Sequence, residues 1–145
     1  MQVSRVRFAF MQLSAQLLQQ SQLKVTNARK VAIHFFEKEE RPVDVEEILF
    51  HLRKHKLATD RATVYRMIDT FLDRGIITRL EFGEGKYRYE LAGSDHHHLV
   101  CENCGRVEDI SDCGIEAWEK KIKQKKHFLV KHHSLEFFGI CKSCQ

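Results

Sequence analysis

Two Cys-x-x-Cys pairs, Cys101-Glu-Asn-Cys104 and Cys141-Lys-Ser-Cys144, are the residues in this chain best suited to do chemistry. Each two-residue spacer lets both sulfurs face one ion. Four thiolates match a closed, tetrahedral structural zinc site with no position left open for catalysis. Gly105 follows the first pair, and its tolerance of positive φ suits the turn of a zinc knuckle. The competing readings are a redox dithiol or two disulfides. One redox pair needs no second pair, and an intracellular chain disfavours stable disulfides. Such a zinc site ties residue 101 to residue 144 and contributes on the order of 10 kcal/mol to folding. Cys113 is left over and reads as a small buried residue.

A second cluster, Asp95-His96-His97-His98, stands just ahead of Cys101. A tri-histidine run inside a chain is not a terminal tag. In an extended segment alternate side chains share a side, so His96 and His98 serve one face, Asp95 and His97 the other. Two separate metal sites can share the segment, with Glu90, Asp109, Glu116 and His133 as the acids and imidazoles that complete them. A solvated polar loop is the bland alternative.

The elements that position these groups follow from periodicity. Residues 4–20 place Val6, Phe10, Leu13, Leu17 and Leu18 at helical spacing. Thr26 or Asn27 caps a second helix over 26–39 with Val31, Ala32, Phe35 and Phe36 on one face. Pro42 marks a break, and Asp44 caps a third helix with Val45, Ile48, Leu49 and Leu52 inward. A fourth begins at Thr59 or Asp60, carries Val64, Met67, Ile68, Phe71 and Leu72 inward, and stops at Gly75. Residues 76–82 and 87–91 are then β-rich and joined through Gly83-Glu84-Gly85-Lys86, a hairpin with a glycine turn. A helix running directly into a small hairpin is the winged-helix pattern. The outer face of the fourth helix carries Arg61, Ala62, Thr63, Tyr65, Arg66, Asp69 and Thr70. Small residues there allow close approach to DNA, and Arg and Tyr can contact bases or phosphates. Beyond Gly93-Ser94, the sequence predicts short strands at 99–100 and 106–110. A helix near 112–126 follows, with Ile115, Trp118 and Ile122 inward, then a strand-like run from Phe128 to Ile140. The lysines at 120, 121, 123, 125 and 126 read as a solvated face.

Composition sets the bounds. The chain has 145 residues, 43% hydrophobic and 30% charged, enough to bury a core. No apolar run is long enough to span a membrane, and the N-terminal residues do not read as a secretion signal, so a cytoplasmic protein is expected. The net charge of +4 permits an acidic partner without requiring one. All five cysteines and six of the nine histidines follow residue 95, whereas residues 1–94 carry 16 Lys/Arg against 12 Asp/Glu. Two sub-domains with different roles are expected: a DNA-binding unit over 1–92 and a metal-binding unit over 95–145, hinged about 92–95.

These pieces together resemble the ferric uptake regulator (Fur) family of metal-responsive bacterial repressors. The resemblance is carried by Leu23-Lys24-Val25-Thr26, Ala62-Thr63-Val64-Tyr65-Arg66 and Gly75-Ile76-Ile77-Thr78-Arg79. His96-His97-His98-Leu99-Val100-Cys101-Glu102-Asn103-Cys104-Gly105 and His133-Ser134-Leu135 complete it, spanning roughly residues 20 to 145. The resemblance implies an α+β protein, an N-terminal winged helix-turn-helix domain followed by a small α/β dimerisation domain. It implies a homodimer that binds palindromic double-stranded DNA operators when a regulatory metal is present. Carried over by position, Tyr65 and Arg66 face the major groove with Arg61 and Thr63 beside them, while Lys24 approaches the minor groove. Cys101, Cys104, Cys141 and Cys144 match the structural zinc ligands. Glu90, His96, His98 and Asp109 match a regulatory site, and His97, Glu116 and His133, with Asp95 as fourth ligand, an additional one.

One departure stands out. Many members have a histidine just before the third helix, where this chain reads Glu39-Glu40-Arg41-Pro42. Glu39, Glu40 or the more distant His34 are the substitutes, or the site closes with four ligands. Imidazole and carboxylate suit Fe(2+), Mn(2+) or Zn(2+). The absence of a cysteine near Glu90 favours iron over a zinc-uptake role. Asp109 is the residue type of the peroxide-sensing branch, in which bound iron oxidises a histidine ligand; that is the alternative reading. A zinc enzyme such as a nucleobase deaminase needs His-x-Glu and Pro-Cys-x-x-Cys with an open zinc position, and this chain has neither motif. A zinc-stabilised interaction module leaves the wing and fourth helix unexplained.

Overall fold

Three helices of the N-terminal unit each begin at an oxygen-bearing side chain that the sequence sets just before an apolar stripe. The computed structural model describes residues 14–39, 41–93, 96–110, 114–131 and 133–145. The chain divides into two units, Met1–Gly93 and Ser94–Gln145. Residues 14–20 are helical (α1), with Leu18 fully buried; Val6, Phe10 and Leu13 of the expected helix lie outside the described residues. Thr26 caps α2 (Asn27–Lys38) by accepting from the Arg29 amide. Asp44 caps α3 (Val45–Lys54) through a reciprocal capping box. Its Oδ1 accepts from the Glu47 amide at 3.0 Å, and Glu47 Oε2 accepts from the Asp44 amide at 2.9 Å. Asp60 caps α4 (Arg61–Asp73) by accepting from the Thr63 amide at 2.7 Å. Gly75, at φ +64°, ends α4 with the paired amide bonds of a Schellman turn, Gly75 N to Leu72 O and Ile76 N to Phe71 O.

The core of this unit is the apolar stripe of each helix meeting the others: Leu18, Ala32, Ile33, Phe35, Phe36, Ile48, Leu49, Leu52, Val64, Ile68 and Phe71 are all buried. His51 of α3 stacks on Phe35 of α2 at 4.1 Å between ring centroids. Burial, reinforced by the neighbouring His55 and His34, pushes its imidazole down to about 4, so the ring is neutral at neutral pH.

The wing is an antiparallel pair, β1 (Ile77–Glu81) and β2 (Tyr87–Leu91). Its turn relies on Gly83 and Gly85, both at positive φ. Two features fasten it to the helices. Val43 forms a β-bridge with Tyr89, exchanging hydrogen bonds of 2.9 and 2.8 Å. Lys86 Nζ reaches the α3 cap at Asp44 Oδ2, 2.6 Å away. Pro42, just before the bridge, is fully buried.

Among the described residues the C-terminal unit is a three-stranded sheet of order β4-β3-β5 with one helix. β3 (His97–Cys101) pairs antiparallel with β4 (Val107–Ile110) and parallel with β5 (Glu136–Gly139). Two expectations are corrected. The strand-like run from Phe128 to Ile140 is a strand only over Glu136–Gly139. The helix α5 (Ile115–Lys126) buries no residue: Trp118 is 63% exposed and Ile122 37%. Its apolar stripe exists, but no described residue of this unit covers it. No helix among the described residues is long and apolar enough to cross a membrane.

Asp44 joins α3 to the wing, and its carboxyl is held below the ordinary carboxylate range. Burial pushes it up, but the hydrogen bonds from Lys86 and the Glu47 amide outweigh that. A depressed acid stabilises the fold fully above its unfolded value, and the contribution is lost as pH falls through the folded one. Asp44→Ala is therefore expected to cost about 1–2 kcal/mol at neutral pH in urea unfolding. The deficit should shrink at acid pH, where the wild-type carboxyl is protonated as well.

Candidate metal centres and nucleic-acid interface

The parallel pairing of β3 with β5 sets Cys101 opposite Gly139 and so brings the two cysteine turns side by side. The first turn closes through Gly105 N to Cys101 O, with Gly105 at φ +70° as the sequence requires, and the second through Cys144 N to Cys141 O, both 2.9 Å. All four sulfurs lie within 4.8 Å of one another. Cys104 and Cys141 are 3.8 Å apart, close to the edge of about 3.8 Å that a tetrahedron with Zn–S bonds of about 2.3 Å has. That spacing is far beyond a bonded disulfide, and the four cysteines are free thiols.

The electrostatics favour a cation. The Cys141 amide donates to Cys101 Sγ at 3.3 Å, and this bond first, with other amides of the turn, pulls the Cys101 thiol down to about 6. Cys144, sharing protons first with Cys141 and then with Cys104 and Cys101, is pushed up to about 12. Thiols this crowded cannot all ionise unless a cation replaces their protons. The donor set fits closed tetrahedral zinc.

The tri-histidine segment divides as strand alternation dictates. On one side His96 and His98 lie with ring centroids 4.9 Å apart. The β3–β4 register sets Asp109 opposite His98, with His98 Nε2 3.7 Å from Asp109 Oδ1. On the other side His97 approaches His133 at 4.9 Å between centroids. His97 and His98 are both buried. Glu90 lies in β2 of the other unit, half-buried and paired in register with Thr78. The carboxylate on His133 is Glu119, with Nδ1 to Oε1 at 2.9 Å; Glu116, one turn earlier on α5, is exposed. Sequence reasoning missed Glu119, although its i+3 spacing from Glu116 on an amphipathic helix offered the signal. Asp95 and Cys113 lie outside the described residues.

The stretch before α3 is held by a buried proline and an ion-paired arginine. Pro42 is buried, and Arg41 gathers the acids around it, Glu47 at 2.6 Å and Glu39 at 3.5 Å. Glu39 is thus already paired. His34 lies against Glu37, Nδ1 to Oε2 at 3.5 Å, and Glu40 is outside the described residues.

On α4, Arg61, Ala62, Thr63, Tyr65, Arg66 and Asp69 are all exposed, as a reading face requires. Arg66 donates to Thr63 Oγ1 at 3.2 Å, and Arg61 pairs with Glu46 at 2.5 Å. Lys24 is exposed before α2, its carbonyl accepting from Arg29. The wing adds Arg79, whose guanidinium lies 4.5 Å over the exposed Tyr87 ring, a cationic and aromatic pair that the sequence reading left unassigned.

A winged helix coupled to a thiolate-stapled unit with histidine and carboxylate sets defines a metal-responsive, DNA-binding regulator. Residues 20–138 match the ferric uptake regulator family, and the chain belongs to that family. It is 37% identical over 125 residues to the ferric uptake regulation protein of Bordetella parapertussis, covering 85% of this chain and 90% of that one. Among solved structures, the Vibrio cholerae ferric uptake regulator superposes with a TM-score of 0.76 at 37% identity, covering 87% of this chain and 98% of that one. The ferric uptake regulator of Francisella tularensis, solved with iron, gives 0.74 at 32% identity and covers 84% and 94%.

Cys104→Ser is expected to release zinc and loosen the C-terminal sheet. Zinc content should fall, and amide exchange at Glu102, bonded to Gly139 O at 2.8 Å, should rise at least tenfold. Exchange within α3 should be unchanged.

Proposed function

We propose that this protein is a cytoplasmic, iron-responsive transcriptional repressor that binds a palindromic operator as a homodimer, not an enzyme. The observation that carries the reading is the set His96, His98 and Asp109, with His98 Nε2 3.7 Å from Asp109 Oδ1. Imidazole with carboxylate and no thiolate suits Fe(2+) or Mn(2+) at least as well as Zn(2+). Glu90, at the end of the wing strand, is the fourth ligand of this proposed regulatory site. A cation bound by Glu90 together with the histidines fixes the angle between the reading helices of a dimer. It shifts the equilibrium only by its preference for the DNA-competent arrangement. Tenfold tighter operator binding needs about 1.4 kcal/mol of coupling, a modest demand on one ion.

His97 and His133 form the additional site, with Asp95 and Glu116 as its other ligands. Glu119 accepts from His133 Nδ1 and leaves Nε2 for the metal. Tyr65, Arg66, Thr63 and Arg61 meet the major groove and Lys24 the minor groove. Homodimerisation is supported by the exposed apolar side chains of the C-terminal unit: Trp118, Phe128, Leu129, Phe137 and Phe138 are all more than 40% exposed. A twofold dimer calls for a palindromic operator.

A second reading, peroxide sensing, is favoured by the carboxylate beside His98 being Asp109. In that case iron-loaded protein exposed to dilute peroxide loses DNA binding and gains sixteen daltons, the mass of one oxygen, on His96 or His98. Iron-dependent binding that survives peroxide supports the iron-sensing reading.

His96→Ala with His98→Ala is expected to abolish the Fe(2+)-dependent gain in operator affinity, at least tenfold, in anaerobic fluorescence anisotropy. Unchanged metal dependence would sink the assignment. Phe138→Asp is expected to shift the protein from dimer to monomer in sedimentation equilibrium, with the thiolate zinc retained.

A further inference from the structure

Four histidine and carboxylate side chains gather between α2 and α3, far in sequence from the metal sets of the C-terminal unit. His34 and Glu37 stand three residues apart on α2, with Nδ1 and Oε2 3.5 Å from each other. His51 and His55 stand four residues apart at the end of α3, with ring centroids 4.4 Å apart. Those are the spacings at which helices present paired metal ligands on one face. Glu37 Oε2 and His51 Nε2 are sealed from solvent and make no hydrogen bond among the described residues. Buried polar atoms in that condition call for a partner. His55 Nδ1 lies 3.0 Å from the His51 carbonyl oxygen, which as a donor fixes the tautomer that leaves Nε2 a lone pair.

We propose that His34, Glu37 and His51, with His55 at the rim, form a divalent-cation site within the DNA-binding unit. The donors fall short of one coordination sphere, since no three of them lie within 4.8 Å of one another. Binding therefore draws them together by side-chain rotation and cross-links α2 to α3. Three imidazoles and one carboxylate select ions of the Co(2+), Ni(2+), Cu(2+) and Zn(2+) series over Mg(2+) or Ca(2+). The charges of Lys38 and Lys54 bear on the His51 ring and oppose a cation, so the affinity rests on the imidazoles. The site also gives His34 a role on α2 in place of the substitute ligand before α3.

The test uses the full-length, zinc-loaded protein titrated with Co(2+), followed by NMR of the histidine rings and by the equivalents bound. Wild-type protein is expected to show paramagnetic broadening of the His34 and His51 rings and to bind one equivalent more than His51→Ala. Glu37→Gln, nearly isosteric and safe for the fold, is expected to weaken that equivalent at least tenfold. Broadening confined to residues after 95, or equal stoichiometry in wild type, His51→Ala and Glu37→Gln, would overturn the proposal. The amide spectrum of each variant reports folding, and because His96 and His98 are intact throughout, failure here leaves the regulatory site untouched.

Discussion

Four sulfurs carried at the two ends of the C-terminal unit have to meet, and the parallel pairing of β3 with β5 is what brings them together. The rest of that unit depends on this contact because it has little else. Its buried apolar residues, among those described, are Val100, Cys101 and Val107, and α5 buries nothing. A segment of about fifty residues with so small a core falls below the size at which apolar burial alone sustains a fold. A metal staple supplies part of the deficit, and a second subunit over the exposed aromatics would supply the rest. The same pairing holds His97 and His98 in the strand leading to Cys101, so the thiolate centre also sets the geometry of the histidines.

The N-terminal unit solves a different problem. Its core is a sufficient set of interlocking helical stripes, and the remaining question is how α4 is held against the wing. The answer lies in the segment before α3. Buried Pro42 fixes the chain, Val43 bridges to Tyr89, and Asp44 caps α3 while taking Lys86 from the wing. Three consecutive residues thereby tie wing, cap and core together.

Strand alternation explains how one short segment serves two separate sets of side-chain contacts. Side chains of successive residues in β3 leave opposite faces, so His98 meets Asp109 through the β4 register while His97 meets His133 from the chain before β5. The carboxylate hydrogen-bonded to His133 is Glu119, one turn beyond Glu116 on α5. Spacing alone cannot choose between neighbouring turns.

Local rules made much of this protein legible from its residues. The caps at Thr26, Asp44 and Asp60, the glycine stop at Gly75, the glycine wing turn and the thiolate set all express short-range chemistry: an oxygen for an orphan amide, a positive φ, a two-residue spacer that converges two sulfurs. What only the tertiary structure decided are the relations between distant segments. These are the β3–β5 pairing, the Val43–Tyr89 bridge, the pairing of Glu119 with His133, and the exposure of Trp118 and Ile122, whose apolar stripe reads as core. Periodicity reports that a helix has an apolar face but not what that face meets. That is settled by which other segments arrive, and here no other described part of the C-terminal unit covers it.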